Sequence, residues 1–162
     1  IEKRKEAIEN VLPDLRALYG AQVNKPKIRF YEGFDEVKEI YLQSLSSEFI
    51  KGFGSTRQLS ELDQKFFTHY IMEIKKRTII FRDILTYESR DKGLPEVKEN
   101  LGSLYETKFL PQRYTDLFTD MLLWDENVAL ITLKEPIFGT ILANDSLSKT
   151  FNVIHDALWE EM

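Results

Sequence analysis

The sequence has 162 residues, 43% of them hydrophobic and 30% charged, and a formal net charge of −5. This length suits a single domain with its own core, and the composition is that of a folded protein rather than a disordered one. With no cysteine and only two histidines, the sequence excludes disulfides, thiolate metal sites and a histidine-rich metal centre. The negative charge argues against direct binding of a nucleic-acid backbone, which requires clustered Lys and Arg.

No apolar run has the length needed to cross a membrane, and the N-terminus is charged where a secretion signal has an apolar segment. We therefore expect a cytoplasmic protein that binds no membrane. Because the first residue is Ile1 rather than Met, we also expect the chain to be a fragment of a longer one.

The first predicted element is a helix over residues 1–19. Its apolar residues include a seven-residue repeat that is typical of a coiled-coil seam. We expect this seam to join two copies of the chain into a homodimer through Ile1, Ile8, Val11, Leu15 and Leu18. Pro13 predicts a kink or a restart near Leu12, because proline removes a helical hydrogen bond. Gly20 predicts the end of the helix, and residues 1–22 form a predicted stalk before an α/β domain over residues 23–162.

The α/β domain begins with a predicted strand, turn and helix over residues 25–45. Alternation over residues 27–31 indicates a strand, which stops at Glu32-Gly33. The helix that follows has a predicted buried face of Phe34, Val37, Tyr41 and Leu45.

The rest of the chain contains further strand and helix units, then a β-meander and a closing helix. Strands are predicted over residues 48–53, 78–85, 104–110, 117–124, 128–133 and 137–142, and helices over residues 58–77 and 95–102. The strand over residues 78–85 lacks alternation and is expected to be covered on both sides. Asn144 or Asp145 caps the closing helix, whose predicted buried face is Leu147, Phe151, Ile154 and Leu158. This order favours an α/β fold with a mixed sheet sandwiched between helices.

A glycine-rich segment leads from the strand over residues 48–53, where the glycines are expected to end the strand, into the next helix. Its backbone N–H groups and polar side chains are suited to an anion, and the candidate ligand residues are Gly52, Gly54, Ser55, Thr56 and Arg57. The alternative is a plain loop in which Ser55 or Thr56 caps the helix.

Three further residues are candidates for ligand contact. Arg82 and Asp83 interrupt an apolar strand, so they either line a ligand crevice at the strand ends or form a structural ion pair. Trp124 stands at a strand end, where a partly exposed indole can stack on a ligand or a partner subunit.

The histidines and the aromatic cluster are interpreted as structural. His69 and Glu73 have the spacing of a helical metal-ligand pair, but no third ligand lies nearby in sequence, so we expect an exposed pair. No metal or cofactor site is predicted. We expect packing at the edge of the core for His155 and burial in the core for Phe66, Phe67 and Tyr70.

Three blocks of sequence resemble the effector domain of TrmB-like transcriptional regulators. They are Leu12-Pro13-Asp14-Leu15 in the stalk, KPKIRFYEG over residues 25–33, and NVALITLKEPIFGTILAND over residues 127–145. The resemblance implies a phospholipase-D-like fold, a stalk that pairs two subunits, and a DNA-binding winged helix upstream of this chain.

The resemblance also allows a test for catalysis. Active enzymes of the phospholipase D fold use His-x-Lys-x-x-x-x-Asp, in which histidine attacks phosphorus and lysine holds phosphate oxygens. Counting back from Asp125 puts Phe118 at the histidine position and Asp120 at the lysine position. A phenyl ring is no nucleophile and a carboxylate repels phosphate, so we expect no catalytic residues and no enzyme activity.

The predicted function is therefore an effector-binding and dimerisation domain of a DNA-binding regulator, with a small-molecule effector. Two alternatives stay open at this level. One is a phosphodiesterase of the same fold, and the other is a structural dimerisation module without a ligand.

Overall fold

A computed structural model describes the backbone of residues 1–23, 25–115 and 119–162, and the side chains of these residues except 19–23. The helices are α1 (Glu2–Val23), α2 (Gly33–Ser44), α3 (Thr56–Leu62), α4 (Gln64–Lys76), α5 (Leu94–Leu101) and α6 (Asp145–Glu161), with short 3₁₀ helices at Tyr87–Arg90 and Gly102–Leu104. The strands are β1 (Lys27–Glu32), β2 (Phe49–Gly54), β3 (Ile80–Leu85), β4 (Tyr105–Phe109), β5 (Thr119–Trp124), β6 (Asn127–Thr132) and β7 (Phe138–Ala143).

The strands form one mixed sheet of seven in the order β1-β7-β6-β5-β2-β3-β4. The β2–β3 and β3–β4 pairs are parallel, and the other pairs are antiparallel. Helices α2 to α5 pack on one face, where they contribute to a cluster of buried hydrophobic residues. Helix α6 contacts β5, β6 and β7 from the opposite face. The predicted α/β class, with a mixed sheet between helices and an N-terminal helix, is confirmed.

The N-terminal helix differs from its prediction at two points. It continues without a break through Pro13, and it runs past Gly20 to Val23. A proline removes one helical hydrogen bond and a glycine weakens a helix by roughly 1 kcal/mol, so neither residue has to end a long helix. Side chains of residues 1–18 are all exposed, which leaves the predicted seam open on the stalk.

The single helix predicted over residues 58–77 is divided at Asp63 into α3 and α4. Asp63 has an extended backbone, and its carboxylate accepts the Phe66 N–H at 2.9 Å, so it caps α4. The hydrophobic period crosses this break unchanged, which is why the pattern did not reveal it.

Strand β3 begins at Ile80 rather than at residue 78, because Thr78 has a positive φ of 56°. Ile80 is 45% exposed, so the prediction that the whole run is covered on both sides was wrong at its start.

The buried face of α6 was also predicted wrongly. Ile154 and Leu158 are 47% and 39% exposed, whereas Ser148 and His155 are buried. Two polar contacts set the rotation of this helix: Ser148 Oγ donates to the Asp125 carbonyl at 2.9 Å, and the His155 ring bonds the Gly52 carbonyl. Asn144 caps the helix by accepting the Leu147 N–H at 3.0 Å, as one of the two predicted caps.

The β5–β6 hairpin matches the predicted position with a tighter turn. Trp124 pairs with Asn127, so the loop holds Asp125 and Glu126. The predicted start of β5 at residue 117 lies outside the described residues. Within the described part of the chain, no helix is both long enough and apolar enough to span a membrane.

Candidate ligand cavity

A cavity lies between the central strands and helices α2 to α5 and is partly open to solvent. The space available to the centres of water-sized spheres is about 40 Å³, roughly three times the minimum for one water molecule. Its lining is mostly apolar and aromatic, with contributions from α2, α3, α4, α5 and strands β2 to β5. Such a concave site with a few convergent polar groups is the usual form of a small-ligand site.

Two buried carboxylates face this cavity. Asp83 on β3 is 5% exposed and Asp120 on β5 is 8% exposed. They share one face of the sheet with Gly52, because Gly52 pairs with Asp83 on one side and Leu122 on the other. The described lining residues include no Lys, Arg or His, so these residues supply no cation to balance the two acids.

Tyrosine hydroxyls and one backbone amide hold the carboxylates. The Tyr105 hydroxyl donates to Asp83 Oδ2 at 2.8 Å, and the Tyr41 hydroxyl donates to Asp120 Oδ2 at 2.6 Å. The Ser55 N–H donates to Asp120 Oδ1 at 3.0 Å. Asp83 Oδ1 accepts no hydrogen bond from the described residues. The site therefore contains one carboxylate with both oxygens bonded and one with a free oxygen.

Two glycines of β2 make room for these acids. A Cβ at Gly52 would lie 2.5 Å from Asp83 Oδ1 and 2.8 Å from the Phe81 ring. At Gly54, whose φ is +156°, a Cβ would overlap Asp120 Oδ1. Gly54 is the last residue of β2, as predicted, whereas Gly52 lies inside the strand and does not end it. Their function is steric: a side chain at either position would occupy the space of a carboxylate.

Burial sets the protonation of the site. It raises the pKa of Asp83 to about 7. The Tyr105 hydrogen bond lowers this pKa, and the nearby Asp120 charge raises it further. Burial also raises the pKa of Asp120 to about 6, against the lowering effect of the Tyr41 and Ser55 hydrogen bonds. Burial, followed by the adjacent carboxylates, raises the pKa values of Tyr41 and Tyr105 well above their ordinary range, so both hydroxyls remain protonated donors.

Two donors of the predicted anion site are engaged in contacts within the protein, the Ser55 N–H and the Arg57 side chain. Ser55 caps α3 by accepting the Gln58 N–H at 3.3 Å, which confirms the capping alternative, while its own N–H is used by Asp120. Arg57 is exposed and pairs with Glu61 at 3.0 Å. Four of the five predicted residues, all except Arg57, do line the cavity. Thr56 Oγ1 is buried and has no hydrogen-bond partner among the described residues.

The structure separates the other three predicted ligand residues. Asp83 lines the cavity, but Arg82 points to the opposite face, where it pairs with Glu106 at 3.5 Å and lies over the Trp159 ring at 5.0 Å. Arg82 and Asp83 therefore neither line one crevice nor pair with each other, since successive strand residues point to opposite faces. Trp124 is only 3% exposed, so the prediction of a partly exposed indole was wrong.

The two histidines lie away from the cavity lining. His69 is exposed, and Glu73 pairs with Arg77 at 3.2 Å. His155 is fully buried, and its Nε2 lies 2.9 Å from the Gly52 carbonyl, which makes Nε2 the protonated donor. Burial lowers the pKa of His155, so its 3.9 Å approach to Asp156 is not an ion pair of consequence. Among the described residues, no group of three or more acidic or histidine side chains is placed to hold a metal.

Two of the three positions compared with the phospholipase D motif lie in the described part of the chain. Asp120, at the lysine position, points into the cavity and bonds Tyr41 and Ser55. Asp125 lies in the β5–β6 turn and accepts the Ser47 hydroxyl at 3.0 Å. Phe118, at the histidine position, lies outside the described residues.

Comparison with solved structures identifies the fold. The chain is similar to TrmBL2, an archaeal chromatin protein whose structure shows a novel mode of DNA binding: the TM-score is 0.59 at 12% identity over 99% of this chain and 64% of that one. It is also similar to NucT from Helicobacter pylori, with a TM-score of 0.57 at 13% identity over 84% of this chain and 97% of that one. No family profile and no curated protein sequence matches the chain.

These likenesses show that the chain shares its α/β fold with both proteins. The chain spans 64% of the length of TrmBL2. At this level of identity the comparison concerns the fold alone.

Sequence reasoning missed the partners of the two acids. Tyr41 was assigned only to the buried face of its helix, and Tyr105 was not selected at all. The usable signal was alternation: residues 81, 83 and 85 share a strand face, as do residues 120, 122 and 124, which places both aspartates on the core side. A buried aspartate then requires donors, and tyrosine hydroxyls are among the few that a core supplies.

The raised pKa of Asp83 predicts a pH-dependent free energy of unfolding. Its folded-state pKa of about 7 exceeds the ordinary aspartate value of about 4. Between these two pH values the folded state therefore binds more protons than the unfolded state. The stability of the wild type, relative to Asp83→Asn, should fall as pH rises from about 4 to about 7 and then level off. Asn can still accept the Tyr105 hydroxyl. Urea unfolding of both proteins at several pH values measures the difference, and a pH-independent difference would contradict the prediction.

Proposed function

We propose that this chain is a non-catalytic effector-binding and dimerisation domain of a TrmB-like DNA-binding transcriptional regulator. The observation that carries the proposal is the cavity itself, which is lined by the buried carboxylates of Asp83 and Asp120. The phospholipase D resemblance implies that Asp120 stands at the position of the phosphate-holding lysine. A cavity with polar groups, in a fold whose catalytic motif is replaced, is suited to bind a small molecule without transforming it.

The chemistry of the lining argues against phosphodiester cleavage. A phosphodiester is an anion, and its transition state requires cations or donors around the phosphate oxygens. The described lining instead offers two carboxylates, and the tyrosine hydroxyls beside them already donate to those carboxylates. His155 cannot act there as a nucleophile, because it packs on the opposite face of the sheet and donates to a backbone carbonyl.

Bis(p-nitrophenyl) phosphate tests the non-catalytic part of the proposal. The protein should release nitrophenolate no faster than buffer, since the lining repels the phosphate. The controls are Asp120→Asn and Asp125→Asn, which remove the carboxylates at the motif positions. A rate above buffer that falls in either variant would assign phosphodiesterase activity to this site and overturn the proposal.

The DNA-binding part of the proposal is placed outside this chain. The support is the fold likeness to TrmBL2 together with the net charge of −5, which is unsuited to a phosphate backbone. We assign DNA contact to a winged helix preceding Ile1. The reading frame upstream of Ile1 tests this assignment: it should encode a winged helix-turn-helix. An upstream region of another fold would remove the regulator hypothesis and leave the cavity unaffected.

The stalk supports the dimerisation part. Its five seam residues are between 50% and 107% exposed: Ile1, Ile8, Val11, Leu15 and Leu18. Four of these residues lie along α1 and Ile1 directly precedes it. Such an apolar row is stabilised when a second helix covers it, and two-fold pairing is the commonest form of self-association. A dimeric stalk would carry two DNA-binding heads at a defined spacing.

A pair of stalk variants tests this interface. Ile8→Glu with Leu15→Glu places charge in the seam, so light scattering should show the dimer becoming a monomer. The matched control is Asn10→Glu with Ala17→Glu, which adds the same charges at the same spacing on exposed positions beside the seam and should remain dimeric. Monomers throughout, or dimers in both variants, would mean that the seam does not join the subunits.

A further inference from the structure

We propose that the cavity binds the cationic head of a small organic amine, an ammonium or guanidinium group, through Asp83 and Asp120. This inference rests on the proposed function, since it names the chemical class of effector for the same site. It replaces the anion suggested by the glycine-rich segment, because that segment provides space for carboxylates instead of free donors.

The first argument is charge. Asp83 and Asp120 are the only charged residues in the described lining, and both are more than nine-tenths buried. Lys51 belongs to β2 but lies on the face of the sheet opposite the cavity, where it pairs with Asp156 at 2.7 Å. A buried carboxylate without a countercharge is unfavourable. A bound cation would supply that countercharge.

The second argument is the supply of acceptors. Among the described residues, the hydrogen bond to the Asp83 carboxylate comes from Tyr105 at Oδ2, and Thr56 Oγ1 is buried without a partner. The hydroxyls of Tyr41 and Tyr105 have given their hydrogens to the carboxylates, so their oxygens can only accept further bonds. The site therefore has a surplus of acceptors. An ammonium group brings three N–H donors and a guanidinium head brings a fork of donors.

The third argument is the aromatic lining. Five aromatic side chains of the core face line the cavity: Tyr41, Phe67, Tyr70, Phe81 and Tyr105. The faces of such rings attract cations, more strongly where water is excluded. Carboxylates and aromatic rings in one partly closed site form a combination suited to amines rather than to sugars or phosphates.

The size of the cavity limits the head group. Space for roughly three water molecules corresponds to a head of three or four non-hydrogen atoms, and the partly open side leaves room for a tail. A divalent metal ion is less suitable, because it prefers six or more oxygen ligands. The described residues supply only two carboxylates, and three of their four oxygens are already bonded.

Binding should depend on pH, because the cation requires ionised carboxylates. Burial raises the pKa of Asp83 to about 7 and that of Asp120 to about 6. The other ionisable groups facing them are Tyr41 from α2, Tyr70 from α4 and Tyr105 from β4, whose own pKa values are raised so that they stay neutral. Ligand affinity should therefore rise between pH 5 and pH 8.

Titration with n-butylammonium chloride tests the proposal. At pH 8 and constant ionic strength, it should raise the Tm and give a calorimetric binding isotherm, whereas 1-butanol and sodium butyrate should do neither. The affinity should be at least tenfold weaker at pH 5, where the carboxylates are protonated. Methylguanidinium chloride, in a parallel arm, distinguishes a guanidinium site from an ammonium site. Tetramethylammonium, which has no N–H donor, should bind more weakly than either.

Variants assign the binding to the two acids. Asp83→Asn should abolish the butylammonium response and Asp120→Asn should weaken it, while the exposed control Asp91→Asn should keep it. If an Asp variant fails to fold, the wild type still tests the proposal. Its butylammonium affinity is then compared between pH 5 and pH 8, and with its response to butanol and butyrate. No response to either cation, or an equal response in Asp83→Asn, would overturn the proposal. If neither cation binds, but the protein hydrolyses no phosphodiester and remains a dimer, the amine proposal is wrong and the proposed function is unaffected.

Discussion

Burial of two carboxylates against β2 is the constraint on which the centre of this structure depends. Asp83 and Asp120 project over one strand from its two neighbours, and the backbone between them can carry no side chain at Gly52 or Gly54. The tyrosines of α2 and β4 are then required as donors, since an unpaired buried carboxylate is strongly unfavourable. The positions of a helix and four strands are thus linked through two side chains.

The same strand links the two faces of the sheet. Gly52 leaves room for Asp83 on the cavity side, and its carbonyl accepts the hydrogen bond of His155 from α6 on the other side. This bond, with the Ser148 contact to Asp125, outweighs the apolar pattern of α6 and turns Ile154 and Leu158 outward. These hydrogen bonds set the rotation of the helix because they require a defined direction. Burial of apolar residues is non-directional and restricts the rotation less.

The cavity gives this α/β fold a chemistry of its own. Two carboxylates line it, and their negative charge disfavours a phosphate. A fold does not dictate an activity, and the site determines the chemistry. In this chain the site combines acids, neutral tyrosines and apolar rings, a set that is suited to hold a ligand.

Much of the architecture followed from sequence alone. The alternation over residues 27–31, the proline and glycine that bound α5, and the turn after Trp124 located elements, because these signals are local. The break at Asp63 and the face of α6 did not follow, because a cap and a directed hydrogen bond compete with the apolar period and no pattern states which prevails. The candidate site depended still more on tertiary structure. Asp83 and Asp120 are distant in sequence, and only the order of strands brings both beside the glycines of β2 and gives the tyrosines a role.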